Sequence, residues 1–130
     1  MIPGSQDQHF SFKKSFLIAV QGIRIAVATE RNVRIMLAGG IFAILMGIIL
    51  RIDAISWACV LVCIGVVIVT ELVNTAIETV VDLVSPEFHP LAGRAKDVAA
   101  AASWGMCLTS AIVGLIVYIR AFLALIGFGQ

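Results

Sequence analysis

Three long apolar runs set the pattern of this chain. Residues 33–50 (VRIMLAGGIFAILMGIIL), 54–73 (AISWACVLVCIGVVIVTELV) and 98–119 are each close to the roughly 20 residues with which an α-helix spans a bilayer. Only Arg51, Ile52 and Asp53 separate the first two runs, which leaves room for nothing but an antiparallel hairpin. Between the second and third lies DLVSPEFHPLAGRAKD, residues 82–97, which holds two of the three prolines and reads as a solvated loop. The alanines from Ala99 to Ala102 then open the third helix. Ahead of the first run, Phe12, Phe16, Val20, Ile23 and Val27 recur at spacings of three and four, with Lys13, Arg24 and Arg31 on the neighbouring face. This spacing predicts an amphipathic helix over about residues 10–32 that lies in the membrane interface, apolar side down; the plainer alternative is a helix packed on a soluble partner. Gly39, Ala43 and Gly47 make a small-residue stripe on the first span, a surface on which helices approach closely in lipid. The expected fold is an all-α membrane protein, one domain over residues 1–130, with a surface helix followed by three transmembrane helices.

Composition sharpens this picture. Hydrophobic residues make up 61% of the chain, above the roughly 45–50% of soluble domains, so lipid is the main solvent. A net charge of only +1 excludes the basic surface that nucleic-acid binding requires. Cys59, Cys63 and Cys107 all sit inside apolar runs, without the spacing of a disulfide framework or a zinc site, and read as small packing residues. The first residues, MIPGSQDQHFSFKK, lack the apolar core of a cleavable leader, so the N-terminus is expected to stay attached. Lys13, Lys14, Arg24, Arg31 and Arg34 gather around the start of the first span and Arg94 and Lys96 before the third, while the opposite turn has only Arg51. The positive-inside rule then puts the N-terminus and the Pro-containing loop on the cytoplasmic side.

The candidate chemistry lies in ELVNTAIETVVD, residues 71–82. Glu71, Asn74, Glu78 and Asp82 fall within about 80° of arc on a helix and climb about 16 Å along it, from lipid into water. A charge at the centre of a bilayer costs about 2.5–3.5 kcal/mol or more, so stability alone does not account for the stripe. Like-charged carboxylates on one face call for a proton, a cation or a ligand between them, and an oxygen-only donor set favours a hard cation such as Mg²⁺. Asp82 by itself is equally a solvated helix end. Glu30, Arg31 and Arg34 form a second cluster at the same level, and the loop adds Glu87, His89, Arg94, Lys96 and Asp97. Positive donors facing a carboxylate-bound metal make a plausible polyphosphate site. No Gly-rich phosphate loop occurs, so a nucleotide must be held by side chains.

Here the strings GIRIAVATERNVRI, ELVNTAIETVVDLV and GRAKDVAAAA resemble the signature segments of the prokaryotic diacylglycerol kinase family, in the same order and at similar spacing, from about Phe12 to Tyr118. TERN at residues 29–32 and VSPEFHPLA look more like the Gram-positive branch, whose members tend to be undecaprenol kinases. The resemblance implies a homotrimer that phosphorylates a lipid alcohol with MgATP at the cytoplasmic surface. It assigns Glu71 as the general base, Glu30 and Glu78 as holders of Mg²⁺ on ATP, and Glu87, His89, Lys96 and Asp97 as further ATP contacts. Asn74, Asp82 and Arg34 would order the site. Ser11 and Ile18 stand near places where some relatives use an arginine and a tyrosine for ATP, a departure that removes those contacts. Two readings compete: a diacylglycerol kinase in place of an undecaprenol kinase, and a proton or cation transporter or channel subunit lined by the stripe. Against the second, residues 54–69 offer only Ser56 as a polar continuation.

Overall fold

A computed structural model of the chain describes residues 11–127. Most of the N-terminal segment in which no leader was expected, and residue 10, the first assigned to the surface helix, fall outside that range. Every regular element among the described residues is a helix: α1 (Phe12–Thr29), α2 (Arg31–Ile49), α3 (Ala54–Val84) and α4 (Pro90–Leu125). The last three are long and apolar enough to cross a membrane.

The surface helix ends three residues before the expected boundary, because Glu30 is extended (φ −101°, ψ 120°) and redirects the chain into α2. Arg34, one turn into α2, reaches back to α1, where its Nη1 donates to the carbonyls of Val27 (3.0 Å) and Ala28 (3.2 Å). Cationic donors at a helix C-terminus satisfy carbonyls that have no partner in the helix and offset its dipole. On α1, Phe12, Phe16 and Ile23 remain exposed, an unpartnered apolar face that suits the interface.

The α2–α3 hairpin closes as a Schellman motif. Ile52 N–H donates to Gly47 O (3.1 Å) and Arg51 N–H to Ile48 O (3.2 Å), with Arg51 in the left-handed region at φ 51°. Asp53 then caps α3: its Oδ1 accepts from the Ile55 and Ser56 amides and its Oδ2 from the Ser56 hydroxyl. The Ser56 amide, then its hydroxyl, hold the Asp53 carboxyl below the usual carboxylate range. Leu50, Ile52 and Val60 bury a small core under this turn.

Of the expected small-residue stripe, Gly47 is buried and Ala43 half-buried within the chain. Gly39 is exposed, and Gly40 and Gly47 are the buried glycines of α2. A Cβ at Gly47 would lie 2.8 Å from the Trp57 ring, so glycine there is what lets α2 and α3 meet. On the other side, Tyr118 Oη donates to Ala43 O (2.7 Å) and ties α4 to α2.

The solvated loop expected over residues 82–97 is much shorter. Helix α3 runs on to Val84 and α4 begins at Pro90, leaving Ser85–His89 as the connection. Pro90 did not break structure but began it: at the first helical position its missing N–H costs nothing and its φ is already helical. His89 Nδ1 accepts from Leu91 N–H (3.2 Å) and caps the start.

Candidate active site

Helices α3 and α4 are the closest partners in the fold, and their antiparallel packing builds the site. At 31 residues, α3 is about 46 Å long against a hydrocarbon core of about 30 Å, so about a third of it projects beyond the lipid. The polar stripe lies at that end. Glu71 (4% exposed) and Asn74 (7%) are buried, Glu78 is half-buried and Asp82 is exposed, a gradient of increasing exposure along the stripe.

Two polar contacts set the register between the helices. Far out, Lys96 Nζ meets both oxygens of Asp82, at 2.9 and 3.1 Å. Deeper in, Ser103 Oγ donates to Glu71 Oε2 at 2.6 Å. Between these two lie Ala99, which is buried, and Ala100, small residues that let α4 approach the carboxylate face of α3. Along the stripe, Asn74 Nδ2 donates to Glu78 Oε1 (3.1 Å), one turn on. Asn74 Oδ1 is buried and has no hydrogen-bond partner among the described residues. An unpaired buried acceptor costs about 1–3 kcal/mol, which marks this atom as awaiting a donor or a cation.

Beside Glu71 is a cavity of about 380 Å³, lined by Arg31 and Asn32 from the first turn of α2, Ile35, Met36, Ser103, Trp104 and Cys107. Its wall changes from charged and polar to apolar, as the environment of an amphiphile at the interface does. A separate, mostly apolar cavity of 360 Å³ lies between α2, α3 and α4 and includes Ser110 and Tyr118.

The remaining sequence candidates are placed less closely. The backbone of Glu30 makes the α1–α2 bend, and its side chain forms no capping hydrogen bond. Arg34 is committed to the carbonyls of α1, and His89 to the start of α4. Glu87 and Asp97 are exposed near the outer ends of α3 and α4. Among the described residues no group of three or more His, Cys, Asp or Glu side chains is gathered as a ready-made metal centre. Sequence reasoning missed Ser103. Its signal was a helical spacing of seven that places Lys96, Ser103 and Ser110 on one face of α4.

With this geometry in view, the comparisons are specific. A family model described as prokaryotic diacylglycerol kinase matches residues 17–118. The chain is 38% identical over 108 residues to an undecaprenol kinase of Bacillus subtilis, covering 83% of this chain and 88% of that protein. To a diacylglycerol kinase of Synechocystis sp. it is 41% identical over 101 residues, covering 77% of this chain and 58% of that protein. To a diacylglycerol kinase of Escherichia coli it is 35% identical over 82 residues, covering 63% of this chain and 67% of that protein.

Proposed function

The chain belongs to the prokaryotic diacylglycerol kinase family and is a membrane lipid kinase, and we propose that it transfers the γ-phosphoryl group of MgATP to undecaprenol, with Glu71 as the general base. The observation that carries the residue assignment is Glu71 itself. It is a buried carboxylate at the level where the stripe leaves the lipid, with Oε2 fixed by Ser103 and Oε1 free of hydrogen bonds among the described residues, beside an amphiphilic cavity. A lipid hydroxyl cannot leave the interface cheaply and ATP cannot enter hydrocarbon, so phosphoryl transfer belongs where these two limits meet. Glu71 Oε1 takes the hydroxyl proton as the lipid oxygen bonds to the γ-phosphorus. The bond from that phosphorus to the β–γ bridging oxygen breaks, and ADP leaves with the electron pair. Positioning and charge neutralisation supply most of the catalysis.

The polyphosphate lies over the projecting ends of α3 and α4 in this reading. Lys96 supplies positive charge there, and Glu87, His89 and Asp97 contact the nucleotide. Mg²⁺ fits the residues present: the donors are oxygens, Asn74 Oδ1 is a buried acceptor without a partner among the described residues, and this ion characteristically takes one or two carboxylates together with phosphate oxygens and water. Glu30 and Glu78 would hold it, and when bound it neutralises charge on the transferring group. Asn74 keeps Glu78 aimed along the stripe, Asp82 aims Lys96, and Arg34 fixes the bend that carries Glu30. The working unit is a homotrimer of the whole 130-residue domain in the bacterial inner membrane, with this end of the helices in the cytoplasm.

Support for undecaprenol over diacylglycerol comes from the TERN and VSPEFHPLA segments and from a match that spans most of the Bacillus subtilis undecaprenol kinase. The test is transfer of label from ATP in detergent micelles that contain both lipids at equal surface concentration. Undecaprenol is expected to show the higher kcat/KM. A clear preference for diacylglycerol would overturn the substrate assignment and leave the kinase standing.

A further inference from the structure

We infer that Ser103 is a positioning residue for Glu71, setting which oxygen of that carboxylate meets the lipid hydroxyl; this rests on the reading of Glu71 as the base. Ser103 is the most buried polar residue described, at 2% exposure, and its hydroxyl points out of its own helix. A serine or threonine inside a helix ordinarily donates back to the carbonyl four residues earlier. Thr29, Thr70, Thr79 and Thr109 all do so here. Ser103 instead crosses to α3, 32 residues away in sequence, and donates to Glu71 Oε2 at 2.6 Å. That length is typical of a hydroxyl bonded to an ionised carboxylate, the stronger class of hydrogen bond.

The consequence for chemistry is geometric. A glutamate reaches its carboxylate through three rotatable bonds, and the neighbouring Ala99 and Ala100 have no group to restrain it. The Ser103 bond fixes one oxygen and thereby the plane of the carboxylate. Oε1 is left with no hydrogen bond among the described residues, on a side chain that lines the 380 Å³ cavity. A base held in this way costs little reorganisation when the alcohol arrives, whereas a freely turning carboxylate presents the right oxygen only part of the time. The Ser110 hydroxyl, two turns further along the same face, is buried and has no partner among the described residues, so burial on this face does not of itself give a serine a carboxylate to bind.

The experiment uses the full chain in micelles with labelled ATP. Variants are Ser103→Ala, Ser103→Thr, which keeps the hydroxyl, and Ser103→Cys, which keeps the volume but donates weakly. Each is made in the native and Glu71→Gln backgrounds. Losing an orienting partner of this kind typically costs about 10–100-fold. Ser103→Ala and Ser103→Cys are expected to lower kcat by about that factor with KM for ATP and lipid unchanged, and Ser103→Thr to recover most of the loss. In the Glu71→Gln background the same changes should cost almost nothing more, because the carboxylate they act through is gone. Full activity in Ser103→Cys, equal loss in the Thr and Cys variants, or an undiminished loss in the Glu71→Gln background would overturn the proposal. Near-normal activity of Glu71→Gln alone would instead remove the base reading on which it stands, so the two failures are distinguishable.

Discussion

A single carboxylate acquires its meaning from what surrounds it. Glu71, Asn74, Glu78 and Asp82 were legible because they share one helix and its period alone puts them on one face. Ser103 was not, since its role depends on which face of α4 meets α3, and that is settled by packing among residues distant in sequence. Arg34 shows the converse: charge and position made it a site candidate, yet its guanidinium caps α1. Glu30 lies in the bend between α1 and α2 and Glu78 on α3, and a shared ion would couple them. Glu30→Gln and Glu78→Gln are each expected to raise the Mg²⁺ concentration needed for half-maximal activity by about tenfold. The double variant should lose less than the product of the two effects, since residues serving one ion are not independent. A Mg²⁺ titration of the four proteins decides this; strictly multiplicative losses would mean that the two do not hold the same ion.

The helices and hairpin follow from local rules, and so do the places where reading them from sequence fell short. Pro86 and Pro90 looked like the marks of a long loop, but Pro90 occupies the one helical position that tolerates it, and α4 therefore starts eight residues ahead of the apolar run. Apolar content signals where lipid begins rather than where a helix does, so the projecting ends of α3 and α4 were hidden in polar sequence. Arg51 is a different case, because its three-residue turn was foreseen but its backbone was not. The Schellman motif places it at φ 51°, where a side chain costs about 1–2 kcal/mol relative to glycine's freedom. Replacing Arg51 with glycine relieves that strain, partly offset by the greater freedom of the unfolded chain. The expected result is a rise in the thermal midpoint in micelles with kinase activity unchanged, since the turn lies at the opposite end from Glu71. A lowered midpoint would show that the Arg51 side chain contributes more to the turn than its backbone strain removes.

At the scale of the whole molecule, the site depends on the protein being longer than the lipid is thick. Helices of 31 and 36 residues are longer than a bilayer's hydrocarbon core is thick, and Asn74, Glu78, Asp82 and Lys96 lie toward the connected ends of the pair, beyond Glu71. The proposed mechanism carries an orientation with it. Because ATP is a cytoplasmic, membrane-impermeant substrate, the proposed mechanism puts the Ser85–His89 connection in the cytoplasm and the Arg51–Asp53 turn, at the far end of α3, on the other side. The distribution of basic residues favours the same orientation, with Arg51 and Arg120 at the far end against seven lysines and arginines at the near level. A water-soluble, impermeant thiol reagent tests this in sealed membranes once the three native cysteines are replaced by alanine or serine. Phe88→Cys, on the exposed connection, should label only in inside-out vesicles, and Arg51→Cys only in right-side-out ones. The reverse pattern would put the carboxylate stripe on the face that ATP does not reach and would overturn the proposed orientation.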